Sequence, residues 1–168
     1  MKNWLTRIAM PVTVAATAAL AGIAGPAAAA PPTPNPTDPF VIQDFFGTDC
    51  PGFEVTAQLT GKSKEISQGN GGVIAISPGM TITLSANGKT LTYLITGTTH
   101  TQILPDGSRE VVSVGKNLLI VPKVDGQHAE GLYYTTGNVN YALTPTGGEG
   151  RLFSGPGRVV DVCALLAP

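Results

Sequence analysis

Polar and apolar residues alternate with a period of two over much of this chain. In the segment FEVTAQLT, residues 53–60, the apolar positions are Phe53, Val55, Ala57 and Leu59, and the residues between them are polar. This alternation is typical of a β-strand with one buried and one solvated face. No helical period of 3.6 residues is found after residue 30, so the pattern predicts an all-β domain.

The segment MTITLSANGKTLTYLIT, residues 80–96, predicts a β-hairpin. Asn87-Gly88 is the favoured pair for a two-residue type I′ turn, and a turn there places the apolar residues of both arms on one face. Because a one-residue slip would move them to the other face, the turn and the pattern together fix the register. The predicted cross-strand pairs are Ala86 with Lys89, Leu84 with Leu91, Ile82 with Tyr93, and Met80 with Ile95.

A second hairpin is predicted in THTQILPDGSREVVSV. Pro105-Asp106-Gly107 is a turn signal, since proline presets the backbone and glycine accepts a left-handed conformation. A four-residue loop at this position would pair Leu104 with Arg109.

A third hairpin is predicted in LYYTTGNVNYAL, residues 132–143, with its turn at Gly137-Asn138. Aromatic cross-strand pairs stabilise sheets, and this turn would create one. The preceding segment NLLIVP, which follows Gly115, is predicted as a separate short buried strand. The pairs predicted for this hairpin are Tyr134 with Tyr141 and Leu132 with Leu143.

The complete pattern contains about ten short strands separated by turn signals. It predicts one antiparallel β-sandwich or jelly-roll-like domain. The stretch PTGGEGRLFSGPG, residues 145–157, is interpreted as a long loop or a broken edge strand, and GRVVDVCALL, residues 157–166, as the closing strand. No helix is expected in this domain.

Residues 1–29 have the three parts of a secretory signal peptide. Lys2 and Arg7 give a positive start, an uncharged stretch rich in alanine follows, and the small residues 27–29 form an A-x-A-like cleavage site. The alternative is an uncleaved anchor helix, but Pro11 interrupts the stretch and alanine holds a bilayer core weakly. We therefore expect cleavage near residue 29, export, and no membrane span after cleavage.

Residues 30–39 are interpreted as a proline-rich linker, and residues 40–168 as the β-sandwich domain. The run PAAAAPPTPNPTDP, residues 26–39, contains six prolines. Such a run favours extended polyproline II structure and cannot form a helix or an interior strand.

Cys50 and Cys163 are the only cysteines, and after export they would be oxidised to a single disulfide. The loop of about 113 residues that this bond closes is worth on the order of 4–5 kcal/mol in the chain-entropy model. The bond requires Cα atoms about 4.4–6.8 Å apart, so the first and last strands of the domain are expected to be neighbours. A redox-active pair would have CxxC spacing, and a metal site would need further ligands.

The charge pattern excludes some partners. From residue 30 onward, eight lysines and arginines stand against eleven aspartates and glutamates, for a net charge of −3. No basic cluster exceeds two residues, so a nucleic-acid partner is not expected. The single tryptophan, Trp4, lies in the predicted signal peptide.

No motif assigns a catalytic, cofactor-binding or metal-binding residue. His100 and His128 lack HxH or HExxH spacing and are interpreted as surface histidines. Ser113 and Lys116 match S-x-x-K, but at a strand end rather than at the start of a helix. Glycosidases need two carboxyl groups about 5–9.5 Å apart across a cleft. The candidate carboxyl pairs, Asp106 with Glu110 and Asp125 with Glu130, lie at predicted turns, where charged residues are ordinary.

Two segments are candidates for binding. Tyr133 is a large ring on the polar side of the third predicted hairpin and could contact a sugar face, although a single tyrosine is more typical of ordinary sheet surface. The apolar residues of FVIQDFF, residues 40–46, could form a partner-binding edge, but we favour a first strand or a flap on the core.

From DCPGF to the second cysteine, the chain resembles small secreted proteins of actinobacteria. The resemblance rests on the alanine-rich leader, the CPGF start, the ANGKTLTYLITG hairpin and the LYYTTG strand. It is a general pattern that implies no activity and assigns no functional residues.

Two functional hypotheses follow. The first is a secreted, non-enzymatic β-sandwich with an extracellular or envelope-associated binding role, whose partner is a protein or a polysaccharide. The second is a small extracytoplasmic hydrolase that uses carboxylate or histidine chemistry, with His100 as its best candidate.

Overall fold

Two antiparallel sheets and two short helices make up the described part of the chain. The computed structural model describes residues 30–47, 50–69, 71–121, 130–146 and 149–168. The first half contains β1 (Thr33–Pro34), β2 (Phe40–Val41), α1 (Ile42–Phe46), β3 (Thr56–Thr60), β4 (Lys62–Ser67), β5 (Gly72–Ile76), β6 (Thr81–Ala86) and β7 (Lys89–Leu94). The second half contains β8 (Thr98–Ile103), β9 (Arg109–Val121), β10 (Gly131–Leu143), β11 (Glu149–Ser154), β12 (Arg158–Asp161) and α2 (Val162–Leu166).

The strands form a sandwich-like pair of sheets, which confirms the predicted fold class. The smaller sheet has the order β2-β3-β6-β7, and the larger has the order β1-β4-β5-β8-β9-β10-β11, with β12 also paired to β10. Gly61 alone separates β3 from β4, so the chain passes from one sheet to the other at that residue. Residues 31–168 belong to one compact unit.

The main core lies between the small sheet and one half of the β9–β10 ribbon. On the small sheet, Ala57, Ile82 and Leu84 are buried, as the period-two pattern predicts. Leu132 is fully buried against them from β10, and Tyr134 packs at the margin of the same cluster. Alternate residues of a strand share one face, so only one side of the ribbon enters this core.

The hairpin predicted over residues 80–96 is confirmed in turn and register. Asn87 and Gly88 both have left-handed backbone angles, with φ of 51° and 73°, as a type I′ turn requires. On the solvated face, the hydroxyl oxygens of Ser85 and Thr90 lie 3.1 Å apart. The observed pairs include Ala86 with Lys89, Leu84 with Leu91, and Ile82 with Tyr93, and the Ile95 N–H donates to the Met80 carbonyl at 2.9 Å.

The second hairpin exists, but its predicted register is wrong by one residue. Ile103, rather than Leu104, pairs with Arg109. The loop is one residue shorter than predicted, because the Leu104 N–H bonds to the Ser108 carbonyl at 2.8 Å and Gly107 is left-handed with φ of 86°. A three-residue loop with a left-handed third residue is a common hairpin connection.

The third predicted hairpin is wrong, because residues 131–143 form the single strand β10. All thirteen residues of β10 pair with β9, so Tyr134 lies opposite Leu118 and Tyr141 opposite Val111. Gly137 lies directly opposite Gly115, and both are left-handed, with φ of 84° and 85°. The glycine that suggested a turn instead allows a local distortion within a long ladder.

The same ladder corrects two neighbouring predictions. The segment NLLIVP is not a separate strand, because residues 117–121 continue β9. The stretch 145–157 contains β11, which pairs with β10 through two register shifts. Of the two interpretations offered for that stretch, the broken edge strand is therefore confirmed.

Two helices of five residues occur where the sequence analysis expects no helix. FVIQDFF, interpreted as a first strand or a flap on the core, is strand only at its first two residues and continues as α1. The closing segment is strand up to Asp161 and then forms α2, whose first turn is capped by the Asp161 carboxylate accepting the Ala164 N–H at 3.0 Å. Neither described helix is long enough to cross a membrane.

The predicted disulfide between Cys50 and Cys163 is confirmed, with Cα atoms 5.3 Å apart. Both residues are buried in the main core. They do not lie on paired strands, however, because Cys50 precedes β3 and Cys163 lies in α2. The Leu132 N–H donates to Cys163 Sγ at 3.3 Å, which ties the bond to β10.

We predict that replacing both cysteines, Cys50→Ser with Cys163→Ser, lowers the free energy of unfolding by about 2–5 kcal/mol, because the unfolded chain regains the freedom that the bond removes. Urea titration followed by circular dichroism measures the change. The reduced wild-type protein is the matched control and should unfold at the same urea concentration as the variant. Equal stability of the oxidised wild type and the variant would contradict the prediction.

We also predict that Gly137→Ala destabilises the fold by about 1–2 kcal/mol, because alanine is strained in the left-handed conformation. Its Cβ would in addition lie 3.2 Å from the Gly157 Cα atom. Gly69→Ala is the control, since a Cβ there meets no atom within 4 Å. An equal change in unfolding temperature for both variants would contradict the left-handed conformation of residue 137 within the β9–β10 pairing.

Candidate functional site

The candidate site is a surface groove of about 660 Å³ beside helix α1. Its lining is predominantly apolar and comes from three segments: the proline-rich stretch before β2, the β2–α1 unit, and strand β3. The lining residues are Pro36, Asp38, Pro39, Phe40, Val41, Asp44, Phe45, Phe46, Thr56 and Leu59.

Helix α1 divides its side chains between the core and the groove. Ile42 is only 1% exposed and anchors the helix in the main core. Phe45 and Phe46 are 72% and 56% exposed, although each is a large apolar side chain. The Phe45 ring meets the Phe40 ring edge-to-face, with centroids 5.0 Å apart. Helix α1 therefore presents Phe45 and Phe46 at the surface while its first residue, Ile42, is buried in the core.

The proline-rich segment runs along the outer edge of β3 and β4 and forms the other wall of the groove. At one end, Thr33 pairs with Ser63 of β4. At the other end, Phe40 pairs with Ala57 of β3. Part of the predicted linker therefore pairs with the domain. The Thr37 carbonyl between these ends accepts a hydrogen bond from Gln58 Nε2 at 2.9 Å.

A mismatch in length makes this segment arch away from β3. Residues 33 and 40 are seven positions apart, whereas their partners 63 and 57 are six apart. The extra residue must bulge, as in a β-bulge, and prolines are tolerated at edges and bulges because they donate no hydrogen bond. Pro36 and Pro39 occupy the bulged stretch. Pro36, Asp38 and Pro39 of this stretch and Leu59 of β3 all line the groove, and we call the space between them the hollow.

The backbone of Leu59 faces this hollow. Strand β2 pairs only with Thr56 and Ala57, so the described chain places no strand beside Leu59 on the outer side of β3. Alternate residues of a strand direct their N–H and C=O groups to the same side. On the outer side of β3, the Val55 carbonyl accepts a hydrogen bond from the Ile42 N–H at 3.0 Å. The backbone N–H and C=O groups of Ala57 and Leu59, two and four residues further on, therefore face the outer side as well.

Two carboxylates give the groove a negative charge. Asp38 and Asp44 both line it, and no basic residue does. Both side chains are exposed, and neither forms an ion pair with a described residue. The groove thus combines exposed aromatic rings with two carboxylates that no described residue pairs with.

His100 lies elsewhere, on an exposed position of β8 between Ile74 and Val112 of the neighbouring strands. Within the described chain it has no hydrogen bond or ion pair with a carboxylate. The arrangement that the hydrolase hypothesis requires is therefore not formed among the described residues. His128 lies outside the described residues.

The candidate carboxylates near the second hairpin are held by structural partners. Asp106 accepts hydrogen bonds from the Ser108 hydroxyl at 2.6 Å and the Ser108 N–H at 2.9 Å, and these bonds lower the pKa of the Asp106 carboxyl. Glu110 forms an ion pair with Arg151 at 2.7 Å. Asp125, the partner proposed for Glu130, lies outside the described residues.

The S-x-x-K match does not form a site. Ser113 is completely buried in β9, and its Oγ has no hydrogen-bond partner in the described chain. Lys116 is exposed. A nucleophile and a base must lie within hydrogen-bond reach of each other.

Tyr133 is half-buried rather than displayed on an open face. Its ring packs edge-to-face on Phe153, with centroids 4.9 Å apart. Tyr134, on the other side of the strand, stacks on Tyr93 at 4.3 Å. Burial raises the pKa of the Tyr93 phenol, and the neighbouring Tyr134 adds to this effect. Each ring thus has an aromatic neighbour within the fold.

Metal binding has no candidate cluster in the described chain, where no three His, Cys, Asp or Glu side chains are grouped to hold an ion. Comparison with protein-family models, with curated proteins and with solved structures finds no significant match. The groove beside α1 is therefore the feature of the described chain from which a function can be inferred.

We predict that the two faces of α1 differ in their contribution to stability. Ile42→Ala removes a buried side chain and should lower the free energy of unfolding by about 2–5 kcal/mol. Phe45→Ser combined with Phe46→Ser changes exposed positions and should lower it by only about 1 kcal/mol, mainly through loss of the Phe40–Phe45 ring contact. Chemical denaturation measures both. A large loss of stability in the phenylalanine variant would mean that these rings belong to the core.

Proposed function

We propose that this protein is an exported, non-enzymatic β-sandwich that binds an apolar part of an extracellular or envelope-associated partner in the groove beside α1. The observation that carries the proposal is the exposure of Phe45 and Phe46, at 72% and 56%, on a helix anchored in the core. Contiguous exposed apolar surface next to a formed groove is typical of interaction sites.

The proposed compartment is supported by chemistry and by the leader. A disulfide between buried cysteines is consistent with an oxidising, extracytoplasmic environment. The charge and apolar pattern of residues 1–29 supports export by a signal peptide. The groove is lined only by residues 36–59, which follow the proposed cleavage site near residue 29, so it belongs to the exported part under this proposal.

The hydrolase alternative is supported by no specific observation. His100 has no described carboxylate partner, and the two described carboxylates near the second hairpin are held by Ser108 and Arg151. The groove contains two acidic residues, Asp38 and Asp44, but both are exposed beside an apolar surface rather than held in a closed cleft.

The test is capture followed by quantitative binding. Immobilised protein is incubated with culture medium and with solubilised envelope from the producing cells, and retained species are identified, purified and titrated. We expect a species whose affinity falls by about tenfold or more in the Phe45→Ser, Phe46→Ser variant, because aromatic anchors dominate interfaces.

The matched control is Ile103→Ser, which removes an apolar side chain that is 43% exposed on β8, away from the groove lining. It should leave the affinity unchanged. A partner that binds wild type and the phenylalanine variant equally well would place binding elsewhere and defeat the proposal. Retention of no species at all would do the same.

A further inference from the structure

We infer that the groove binds an extended polypeptide segment in which apolar side chains alternate with lysine or arginine. This inference rests on the proposed function, because it names the partner chemistry of the same groove. Three independent features carry it: the exposed rings, the charge of the lining, and the open edge of β3.

The rings select an apolar side chain. Phe45 and Phe46 are the exposed rings of the groove lining, and Phe40 and Leu59 are partly buried within it. An aliphatic or aromatic side chain inserted here would remove this apolar surface from water, which is the main driving force for association. The pair of adjacent phenylalanines also offers ring faces to a cation, since aromatic faces attract ammonium and guanidinium groups.

The charge selects a cationic neighbour for that side chain. Asp38 and Asp44 come from two different walls of the groove, one from the arched segment and one from α1. Neither has an ion-pair partner among the described residues. A positive group bound between the walls would compensate both carboxylates, whereas an acidic ligand would be repelled. The same charge disfavours insertion of the rings into an anionic membrane surface.

The open edge selects a polypeptide over a small molecule. Leu59 directs its N–H and C=O toward the hollow. The hydrogen-bond pattern between β3 and β6, on the opposite side of β3, supports this orientation. In the hairpin with a turn at Asn87-Gly88, Leu84 and Leu91 form a hydrogen-bonded pair, so the backbone N–H and C=O of Leu84 point to β7. The backbone groups of the neighbouring residues Thr83 and Ser85 then point to β3. Their partners on β3 are Gln58 and Thr56, which leaves Ala57 and Leu59 to face outward.

An extended segment that enters the hollow would therefore form a hydrogen-bonded pair with Leu59 alone, because the Asn35 N–H bonds to the Gly61 carbonyl on one side and Phe40 pairs with Ala57 on the other. Such local strand addition obtains affinity from main-chain hydrogen bonds and specificity from alternate side chains. With period-two alternation, one set of side chains enters the groove beside Phe45, and the other set reaches the carboxylates. The KSKEIS segment of a second copy would not match the groove, because Lys62 and Lys64 alternate there with polar Ser63 rather than with apolar side chains.

The test uses the full disulfide-bonded protein and fluorescent, end-blocked peptides, with binding measured by anisotropy. The first probe alternates phenylalanine with lysine, the second alternates phenylalanine with glutamate, and the third alternates serine with lysine. We expect the first to bind at least about tenfold more tightly than either of the others, because only it matches both the rings and the charge. A fourth probe, the first peptide with alternate amides N-methylated, should lose binding, because it cannot form the ladder.

Variants separate the parts of the inference. Asp38→Asn with Asp44→Asn should weaken binding of the phenylalanine–lysine peptide by roughly three- to tenfold, as expected for the loss of two exposed ion pairs. Raising the salt concentration to 1 M, where the screening length falls to about 3 Å, should have a similar effect on the wild type. Glu65→Gln, an exposed acid on β4 outside the groove lining, should leave binding unchanged.

The outcomes distinguish this inference from the proposed function beneath it. If the phenylalanine–glutamate peptide binds as well as the lysine peptide, and binding still depends on Phe45 and Phe46, the groove is a binding site but the cationic partner is wrong. If the N-methylated peptide binds as tightly, the strand-addition geometry is wrong. If no apolar peptide binds through Phe45 and Phe46, or if sedimentation shows the protein pairing with itself through these rings, the inference is overturned.

Discussion

The disulfide between Cys50 and Cys163 is the constraint on which the arrangement of the two helices depends. It joins the segment between α1 and β3 to α2, and both sulfurs lie in the main core. Ile42 of α1 and Leu166 of α2 are buried in the same cluster. The bond therefore fixes the chain close to the buried base of α1, whose outer residues Phe45 and Phe46 are exposed.

The groove arises from a second constraint, which is one of length. The segment before β2 is one residue longer than the sheet edge that it follows, and its prolines cannot restore the ladder. Sheet edges are usually covered because unpaired backbone groups promote association. Here the edge is covered at both ends and open at Leu59. An edge that is only partly covered can accept a specific extended segment while limiting indiscriminate pairing.

The sequence predicted those features whose causes are local. The hairpin over residues 80–96 has its turn residues and its apolar pattern within one short segment, and both were correct. The disulfide followed from there being only two cysteines. The turn assigned to Gly137-Asn138 failed because a left-handed glycine fits a tight turn and a ladder distortion equally well. What decides between them is pairing with β9 and β12, which lie outside the segment that carries the turn signal.

The candidate site was only partly visible in the sequence. The apolar residues of FVIQDFF indicate a possible binding edge, and the favoured interpretation is a first strand or a flap on the core. The helix is not predicted, because five residues are too few to reveal a helical period. The hollow over Leu59 depends on comparing the spacing of two paired segments, and no local pattern encodes that comparison. Tyr133 and His100 attracted attention as residue types, and the structure places both away from the groove lining.

Amide hydrogen exchange at Leu59, followed by NMR, tests the central claim most directly. In the free protein, the Leu59 N–H should exchange much faster than the Ala57 N–H, because β2 covers only the latter. Bound to the phenylalanine–lysine peptide, Leu59 should become as protected as Ala57. Strong protection of Leu59 in the free protein would show that this edge is already paired and would contradict the account.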